Sequence, residues 1–281
     1  MRAAFAVGLL DWDEASGNRL APHMETLPLD PTDPQFMGGG IQFYTAPQED
    51  FRAFPESPRT GRVWPRSEHD PGLIEALKNL TKPDAVVLTN TVPPQAPETL
   101  AQLETGGEIL EIGPGGGFAL AHFARRFPHS RLVGLEFDAP SIELARQTVA
   151  DAGVGGQVEI RHGDANELDE TDTYDLVLMN IVLHETGGSA EYRNVLARTR
   201  QALKPGGTVL VSELPYPDSP ADYRVNPAYK ALAGAQIHEA QVGCGAITRG
   251  ELRELLAGAG FTHLRVAEQP MPTRFIMLAE K

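Results

Sequence analysis

Short apolar segments alternate with segments of helical periodicity along the second half of the chain. The segments 108–112, 131–136 and 174–179 are apolar and short, as buried strands are. Apolar positions at helical spacing run through 116–127 and 189–203, and the second of these segments ends at a Lys-Pro-Gly-Gly stop signal. Strands that alternate with helices predict a parallel sheet with helices on both faces, a doubly wound α/β fold.

The last two strand patterns depart from this alternation. Segments 262–268 and 273–279 are joined only by the short turn Pro270–Pro272. A turn of this length cannot hold a crossover helix, so we predict that the two strands are antiparallel. With further strands at 157–161 and 208–213, the pattern predicts a seven-stranded, mostly parallel sheet with an antiparallel final strand.

The N-terminal third of the chain has a different pattern. Residues 1–70 are rich in proline, glycine and aromatic side chains and show poor helical periodicity, which predicts short strands and loops. Asp70 and Pro71 have the form of a helix start, with a helix to about Leu80, and 85–91 has the pattern of a short strand.

This change of pattern divides the chain into two predicted parts. An irregular extension over 1–104 packs on the core, and its aromatic side chains could fold over a ligand site as a lid that excludes water. A nucleotide-binding domain follows over 105–281.

Composition narrows the range of partners. The 281 residues carry 38 acidic and 24 basic side chains, a formal charge of −14, and such a surface repels the phosphates of nucleic acids and anionic membranes. No segment approaches the roughly 18 apolar residues that a membrane span needs, and the apolar segment 3–10 is short for a secretory signal. Because Cys244 is the single cysteine, no intrachain disulfide can form, and a cytoplasmic location fits.

A glycine-rich loop supplies the first functional signal. The strand 108–112 runs directly into the loop 113–117, Gly-Pro-Gly-Gly-Gly, and a helical pattern follows. The next strand ends at the carboxylate of Glu136. A strand, a glycine loop, a helix and a second strand ending in an acid are the layout of a nucleotide site, where the acid accepts hydrogen bonds from ribose hydroxyls.

Several motifs in order give this region a resemblance to class I S-adenosylmethionine-dependent methyltransferases, over roughly residues 105–281. The motifs stand at 111–117, 136, 161–165, 174–180 and 203–210. The resemblance implies S-adenosyl-L-methionine as cofactor, with the loop at its methionine portion, Glu136 at its ribose and Asp164 at its adenine amino group. The cofactor-binding residues that it implies are Glu111, Gly113, Gly115, Gly117, Glu136, Asp164, Ala165 and Asn180.

The segment after the fourth predicted strand carries the candidate base. The carboxyl ends of the strands face the ligand in doubly wound sheets, so His184 lies on the working edge. The segment resembles the His-acid segment of small-molecule O-methyltransferases, which implies that His184 is the general base, that Glu185 stands at their aspartate and that Glu213 orients the histidine. A second glutamate of that family would fall near Ala246, where it is missing.

The acceptor side is less defined than the cofactor side. The winged-helix dimerisation region of these enzymes is not recognisable in 1–80, and a homodimer stays an open alternative. The segment 214–246 lies between the fifth strand and the last helix, a place in the order that makes it part of the acceptor pocket. Its candidate substrate contacts are Tyr216, Ile237 and Gln241.

Two other functions remain open at this point. His184, Glu185 and His238 could form a two-His-one-carboxylate metal site, which resembles that of bacterial C-methyltransferases that bind iron, as Fe(II), and act on 2-oxo acids. A non-catalytic protein that binds the cofactor and serves as a partner subunit would keep the glycine loop and Glu136 but form no methylated product. Transfer to a hydroxyl, without a metal, is the preferred prediction.

Overall fold

The computed structural model describes residues 5, 8–15, 17–24, 26–30, 33, 36, 38–45, 56–64, 72–271 and 273–281. Its strands are β1 (Leu10–Asp13), β2 (Gly17–Leu20), β3 (Glu108–Ile112), β4 (Arg131–Glu136), β5 (Val158–His162), β6 (Tyr174–Asn180), β7 (Leu203–Glu213), β8 (Thr262–Val266) and β9 (Phe275–Glu280). Its helices are α1 (Thr26–Leu29), α2 (Gly38–Thr45), α3 (Ser57–Thr60), α4 (Gly72–Asn90), α5 (Pro97–Thr105), α6 (Phe118–Arg126), α7 (Ala139–Asp151), α8 (Ser189–Ala202), α9 (Asp222–Val225), α10 (Pro227–Gln241) and α11 (Arg249–Gly258). Single 3₁₀ turns stand at Pro93–Gln95, Ala165–Glu167 and Leu183–Glu185.

One seven-stranded sheet forms the centre of the fold, in the order β5-β4-β3-β6-β7-β9-β8. The strands β3 to β7 pair in parallel, whereas β9 is antiparallel to both β7 and β8. The predicted doubly wound sheet and its antiparallel end are confirmed. Strand order reverses between β3 and β6, and the crevice at such a switch point is where ligands bind in open α/β sheets.

Alternate residues of the central strands enter two separate cores, one on each face of the sheet. Ile109 of β3 packs in the core that also holds Phe123 of α6, whereas its neighbour Leu110 packs in the core that holds Leu196 of α8. This follows from the two-residue repeat of a strand, and an apolar strand buried on both faces is typical of parallel sheets. The two cores fix the carboxyl ends of β3, β4 and β6 as a rigid edge.

Helix α4 corrects the prediction for residues 85–91. The sequence pattern predicts a short strand here, after a helix to about Leu80, and that prediction is wrong because α4 continues from Gly72 to Asn90. Pro83 lies inside the helix, yet Ala85 and Leu88, three residues apart, are both buried in the core beside α6. Burial at helical spacing therefore outweighs the helix-breaking tendency of proline. The predicted start at Asp70 and Pro71 lies outside the described residues.

The described residues that precede α4 form a small hairpin and short helices. Strands β1 and β2 pair in antiparallel register, and Trp12 on this hairpin is largely exposed. Helix α2 crosses α4 at such close range that a Cβ at Gly39 would overlap the backbone of Asn79. Only a residue without a side chain permits this crossing, which holds α2 against the helix beside the ligand edge. No helix in the described ranges is long and apolar enough to cross a membrane.

Candidate active site

The glycine loop after β3 bends away from the sheet at positions that exclude a side chain. Gly113 has φ +65°, and a Cβ there would collide with the side chain of Val182. Gly117 has φ +75° and caps α6, and a Cβ there would lie 3.0 Å from the Cα of Ala145. The loop thus holds a left-handed conformation beside two neighbouring segments, which glycine alone adopts without strain.

Glu136 ties the end of β4 to this loop. Its Oε2 accepts a hydrogen bond from the amide of Gly115 at 3.0 Å, and its Oε1 accepts from the amides of Phe137 and Asp138, each at 2.9 Å. Three backbone donors fix the orientation of the carboxylate. A carboxylate has about four acceptor positions, so one remains for a hydroxyl of a ligand.

Asp164 follows β5 and caps the next turn. Its Oδ1 accepts from the amide of Asn166 at 2.8 Å and from the Asn166 side chain at 3.1 Å. The carboxylate is thereby held at the mouth of the cleft next to Ala165, which is buried. Asp164 therefore caps a turn in addition to its expected contact with a ligand.

The predicted cofactor residues, Gly117 excepted, line one cavity of about 590 Å³ at the carboxyl edge of the sheet. This volume lies within the range of small-molecule sites. Two buried acceptors that line it, Glu111 Oε2 and Asn180 Oδ1, have no hydrogen-bond partner among the described residues. Unpaired buried acceptors are costly, so a ligand that brings N–H or O–H donors fits this cavity.

Glu111 is a buried acid at the base of the loop, with 3% of its surface exposed. Burial raises the pKa of its carboxyl to about 8, with the amide of Leu120 opposing this and the charge of Glu136 adding to it. Around neutral pH the side chain is therefore mostly protonated, and a cationic ligand group beside it would favour its ionised form.

Asn180 is held by an ion pair that sequence reasoning missed. Asp84 Oδ2 accepts from the Asn180 side chain at 3.0 Å and from Arg274 Nε at 2.9 Å. Asp84 and Arg274 are nearly fully buried, and burial raises the pKa of Asp84 while the Arg274 charge lowers it. The partners come from α4 and the turn before β9, so only the folded chain brings them together.

The structure brings His184 and Glu213 into direct contact. His184 lies on the 3₁₀ turn directly after β6, Glu213 ends the neighbouring strand β7, and both are at least 98% buried. The distance between His184 Nδ1 and Glu213 Oε2 is 2.6 Å, and the His184 amide donates to Oε1 at 3.3 Å. A carboxylate on Nδ1 fixes the ring so that Nε2 is the nitrogen that remains for chemistry.

Glu239 on α10 is the second carboxylate at this histidine, and its role was not predicted. His184 Nε2 lies 3.4 Å from Glu239 Oε2, and donor atoms of His184, Glu185 and Glu239 all lie within 4.8 Å of one another. Burial alone lowers the pKa of His184, but Glu213 and Glu239 outweigh it and hold that pKa well above 6.5. The sequence hypothesis chose His238, whose ring instead packs edge-on against Phe43 at 5.2 Å.

Of the predicted substrate residues, Tyr216 and Gln241 are not among the described residues that line the cavity. Tyr216 is buried and bridges to Thr248, and the buried Gln241 accepts at its backbone oxygen from the amide of Trp64. The side chain of Ile237 lies outside the described residues. Residues that the sequence argument missed line the cavity in their place, namely Leu77, Lys78, Thr81, Val242 and Cys244. They come from α4 and the segment after α10, where no motif marks them.

Comparison with known proteins shows which family this edge of the sheet resembles. Residues 110–209 match a family model described as a methyltransferase domain. The chain therefore contains a methyltransferase domain over these residues. Over 107 residues the chain is 36% identical to the 3-hydroxy-5-methyl-1-naphthoate 3-O-methyltransferase of Streptomyces sahachiroi, covering 38% of this chain and 30% of that protein.

Two solved structures share the fold along 100% of this chain. One is an O-methyltransferase family protein from Burkholderia thailandensis, with a TM-score of 0.70, 20% identity and 82% of that chain covered. The other is human N-acetylserotonin methyltransferase in complex with S-adenosylmethionine, with a TM-score of 0.68, 17% identity and 81% covered. The matches to the first curated relatives span only 30%, 44% and 26% of their lengths, so the likeness there concerns a domain.

Proposed function

We propose that this protein transfers a methyl group from S-adenosylmethionine to a hydroxyl of a small molecule, with His184 as the general base. The observation that carries the proposal is the His184–Glu213 pair at the carboxyl edge, one residue away from Glu185, which lines the cofactor cavity. Methyl transfer is an in-line displacement, so holding the donor and acceptor in line supplies much of the rate, and a base removes the hydroxyl proton.

The carboxylates around His184 stabilise the protonated imidazole that forms when it acts as a base. His184 accepts a proton only in its neutral form, and the carboxylates of Glu213 and Glu239 then stabilise the imidazolium that forms. The same carboxylates raise the pKa of His184 and favour the cation before the reaction, so the population of the neutral base increases as the pH rises. Because Nε2 is buried beneath Glu239, an acceptor reaches it only when the Glu239 side chain moves aside.

The N-terminal extension completes the proposal as a cover for the acceptor. Helix α2 packs on α4, and Phe43 of α2 contacts His238 of α10 in the segment beside Glu239. A cover of this kind excludes water from the reacting groups, which strengthens electrostatic interactions inside the site.

A screen with labelled cofactor tests the proposal. Phenols, catechols and 2-oxo acids are incubated with the wild-type protein, His184→Ala and His263→Ala. His263 is a matched control, since it pairs with Glu280 at 2.7 Å in an exposed place far from the cleft. We expect an O-methylated product from the wild type and the control and none from His184→Ala. Full turnover by His184→Ala would remove the base assignment, and cofactor binding without any product would favour a non-catalytic protein.

A second candidate, metal-assisted C-methylation of a 2-oxo acid, is supported by the donor cluster. One imidazole and two carboxylates, His184, Glu185 and Glu239, form a set that suits a divalent metal such as Fe(II), with Glu213 behind the ring. A bound metal would polarise the oxo acid and stabilise its enolate. Metal analysis separates the candidates: about one iron per chain, lost in Glu239→Gln, together with a C-methylated product, would replace the O-methylation proposal.

A further inference from the structure

The carbonyl oxygen of His184 accepts two hydrogen bonds from segments outside its own turn. The Tyr192 hydroxyl of α8 donates to it at 3.1 Å, and the amide of Gly245, in the segment after α10, donates to it at 3.4 Å. On the other side of the residue, the carboxylate of Glu213 contacts the amide and the ring Nδ1 of the same histidine. His184 is therefore held at both ends of its backbone and at one ring nitrogen.

Gly245 lies so close to Tyr192 that a side chain has no room. A Cβ at Gly245 would lie 2.6 Å from the Tyr192 hydroxyl oxygen but 3.8 Å from Cζ, the ring carbon that bears the hydroxyl. The first distance is a clash, whereas the second is an ordinary van der Waals contact. The hydroxyl of Tyr192, and not its ring, therefore requires glycine at this position.

The segment after α10 connects this contact to the second carboxylate at His184. The amide of Cys244 donates to the backbone oxygen of Glu239 at 2.8 Å, and the next amide, that of Gly245, donates to His184. Glu239 Oε2 lies 3.4 Å from His184 Nε2. Two successive backbone bonds thus tie Glu239 to the turn that carries His184, and the Tyr192 hydroxyl donates to the same carbonyl as the second of them.

We propose that Tyr192 is a positioning residue for His184, and that its hydroxyl, packed against Gly245, holds the imidazole between Glu213 and Glu239. The inference rests on the proposed function, in which His184 takes the proton of the acceptor. Tyr192 and Gly245 are not among the described residues that line the cavity, so Tyr192 acts through His184 and not through a ligand. A displacement of about 1 Å can cost about one-hundred-fold in rate, so such a contact affects turnover strongly.

Burial keeps the Tyr192 hydroxyl available as a donor. Tyr192 is buried in the core that also holds Leu196 and Leu252. Burial raises the pKa of its hydroxyl above the ordinary value, and the neighbouring Cys244 and Glu213 add to this rise. Near neutral pH the hydroxyl is therefore protonated and donates to the carbonyl of the histidine, which can only accept.

Proton NMR tests the positioning without any acceptor. The Nδ1 proton of His184 is buried in a contact of 2.6 Å with Glu213, so we expect a far-downfield resonance that is protected from exchange with water. His184→Ala should abolish the resonance, and His263→Ala should keep it, which assigns the signal. His263 is a matched control because its pair with Glu280 is similar in length, at 2.7 Å, but exposed to solvent.

Tyr192→Phe and Gly245→Ala disturb the contact from its two sides. We expect each variant to move the resonance upfield and to speed its exchange with water by about ten-fold. The double variant should exchange no faster than Tyr192→Phe alone, because the added methyl group then meets a ring carbon at 3.8 Å and no hydroxyl.

Two controls separate this contact from general effects of the substitutions. Tyr174→Phe removes a hydroxyl that donates to Glu170 at 3.2 Å, away from His184. Gly155→Ala adds a Cβ that would meet no described atom within 4 Å. We expect both variants to keep the resonance of the wild type.

Turnover gives a second readout. With a phenol or catechol that the wild type methylates, Tyr192→Phe should lower kcat by about ten-fold and leave the Kd of S-adenosylmethionine unchanged. An unchanged resonance in Tyr192→Phe, additive effects of the two substitutions, no resonance in the wild type, or equal losses in kcat and cofactor binding would overturn the inference. Failure of the wild type to form any product would overturn the proposed function, whereas the resonance still decides the positioning.

Discussion

The cofactor side and the acceptor side of the cleft are built in different ways, although both stand at the carboxyl edge of the sheet. The cofactor side uses residues close together in the sequence and backbone amides, as in the bonds from Gly115, Phe137 and Asp138 to Glu136. The acceptor side collects His184, Glu213 and Glu239 from three separate elements and buries their charges together. A site made of backbone amides tolerates substitutions at neighbouring side chains. A site of buried charges depends on every charged side chain in it.

The largest effect is expected from a substitution that disrupts only the acceptor side. Glu213→Gln removes the charge that orients and stabilises the His184 imidazolium, so we expect kcat to fall by about 10²- to 10⁴-fold while the Kd of S-adenosylmethionine stays unchanged. Steady-state kinetics and calorimetry measure the two quantities. Glu280→Gln is the control, because it breaks the exposed pair with His263. Equal losses of cofactor binding would contradict a division between the two sides.

The second prediction concerns the contribution of the buried Asp84–Arg274 ion pair, which holds Asn180, to the stability of the fold. Arg274→Met leaves the carboxylate of Asp84 buried without its cation, and we expect the free energy of unfolding to fall by about 3 kcal/mol. Denaturant unfolding measures this. Arg146→Met breaks an exposed pair with Glu143 and should cost less than about 1 kcal/mol. Similar costs for the two variants would argue against a role for burial.

A smaller effect is expected for cofactor affinity when Glu136 is substituted. Glu136→Gln keeps the shape of the side chain but removes the charge that the loop amides share with a ribose hydroxyl, so we expect the Kd of S-adenosylmethionine to rise by about 10- to 100-fold. The kcat at saturating cofactor should change little. The control Glu159→Gln alters an exposed acid on the adjacent strand β5. Unchanged affinity would remove Glu136 from the ribose site.

The smallest effect is a shift in pH dependence. Since the pKa of His184 stands well above 6.5, kcat/KM for a hydroxyl acceptor should rise with pH as the imidazolium loses its proton. Glu239→Gln removes one of the two carboxylates that raise this pKa, so the rising limb should move to lower pH by about one unit. Rate profiles between pH 6 and about 10 measure the shift. A limb in the same place would show that Glu239 does not act on His184.

Local signals explain which parts of the molecule could be predicted. The apolar segments gave β3, β4 and β6 within a residue or two. The glycine loop and Glu136 were found because their spacing along the chain is itself the signal. In these segments, sequence neighbours are also neighbours in space.

The remaining parts depend on contacts between distant segments. The continuation of α4 past Pro83 is fixed by burial of Ala85 and Leu88 beside α6, which no local pattern reveals. Glu239, rather than its neighbour His238, approaches His184, because a turn of about 100° per residue along α10 decides which of the two faces the imidazole. A shift of one residue along a helix is therefore enough to change which side chains are proposed as metal ligands.

The place of β9 in the sheet has a consequence for how the protein is made. Strand β8 joins the sheet through β9, yet it leaves the ribosome first and must wait for Phe275–Glu280 to be inserted between it and β7. Until then β7 presents an open edge, with Glu213 at its end. A nascent chain that stalls before Phe275 would expose a long apolar strand, so translation pauses in this region should increase chaperone demand and aggregation.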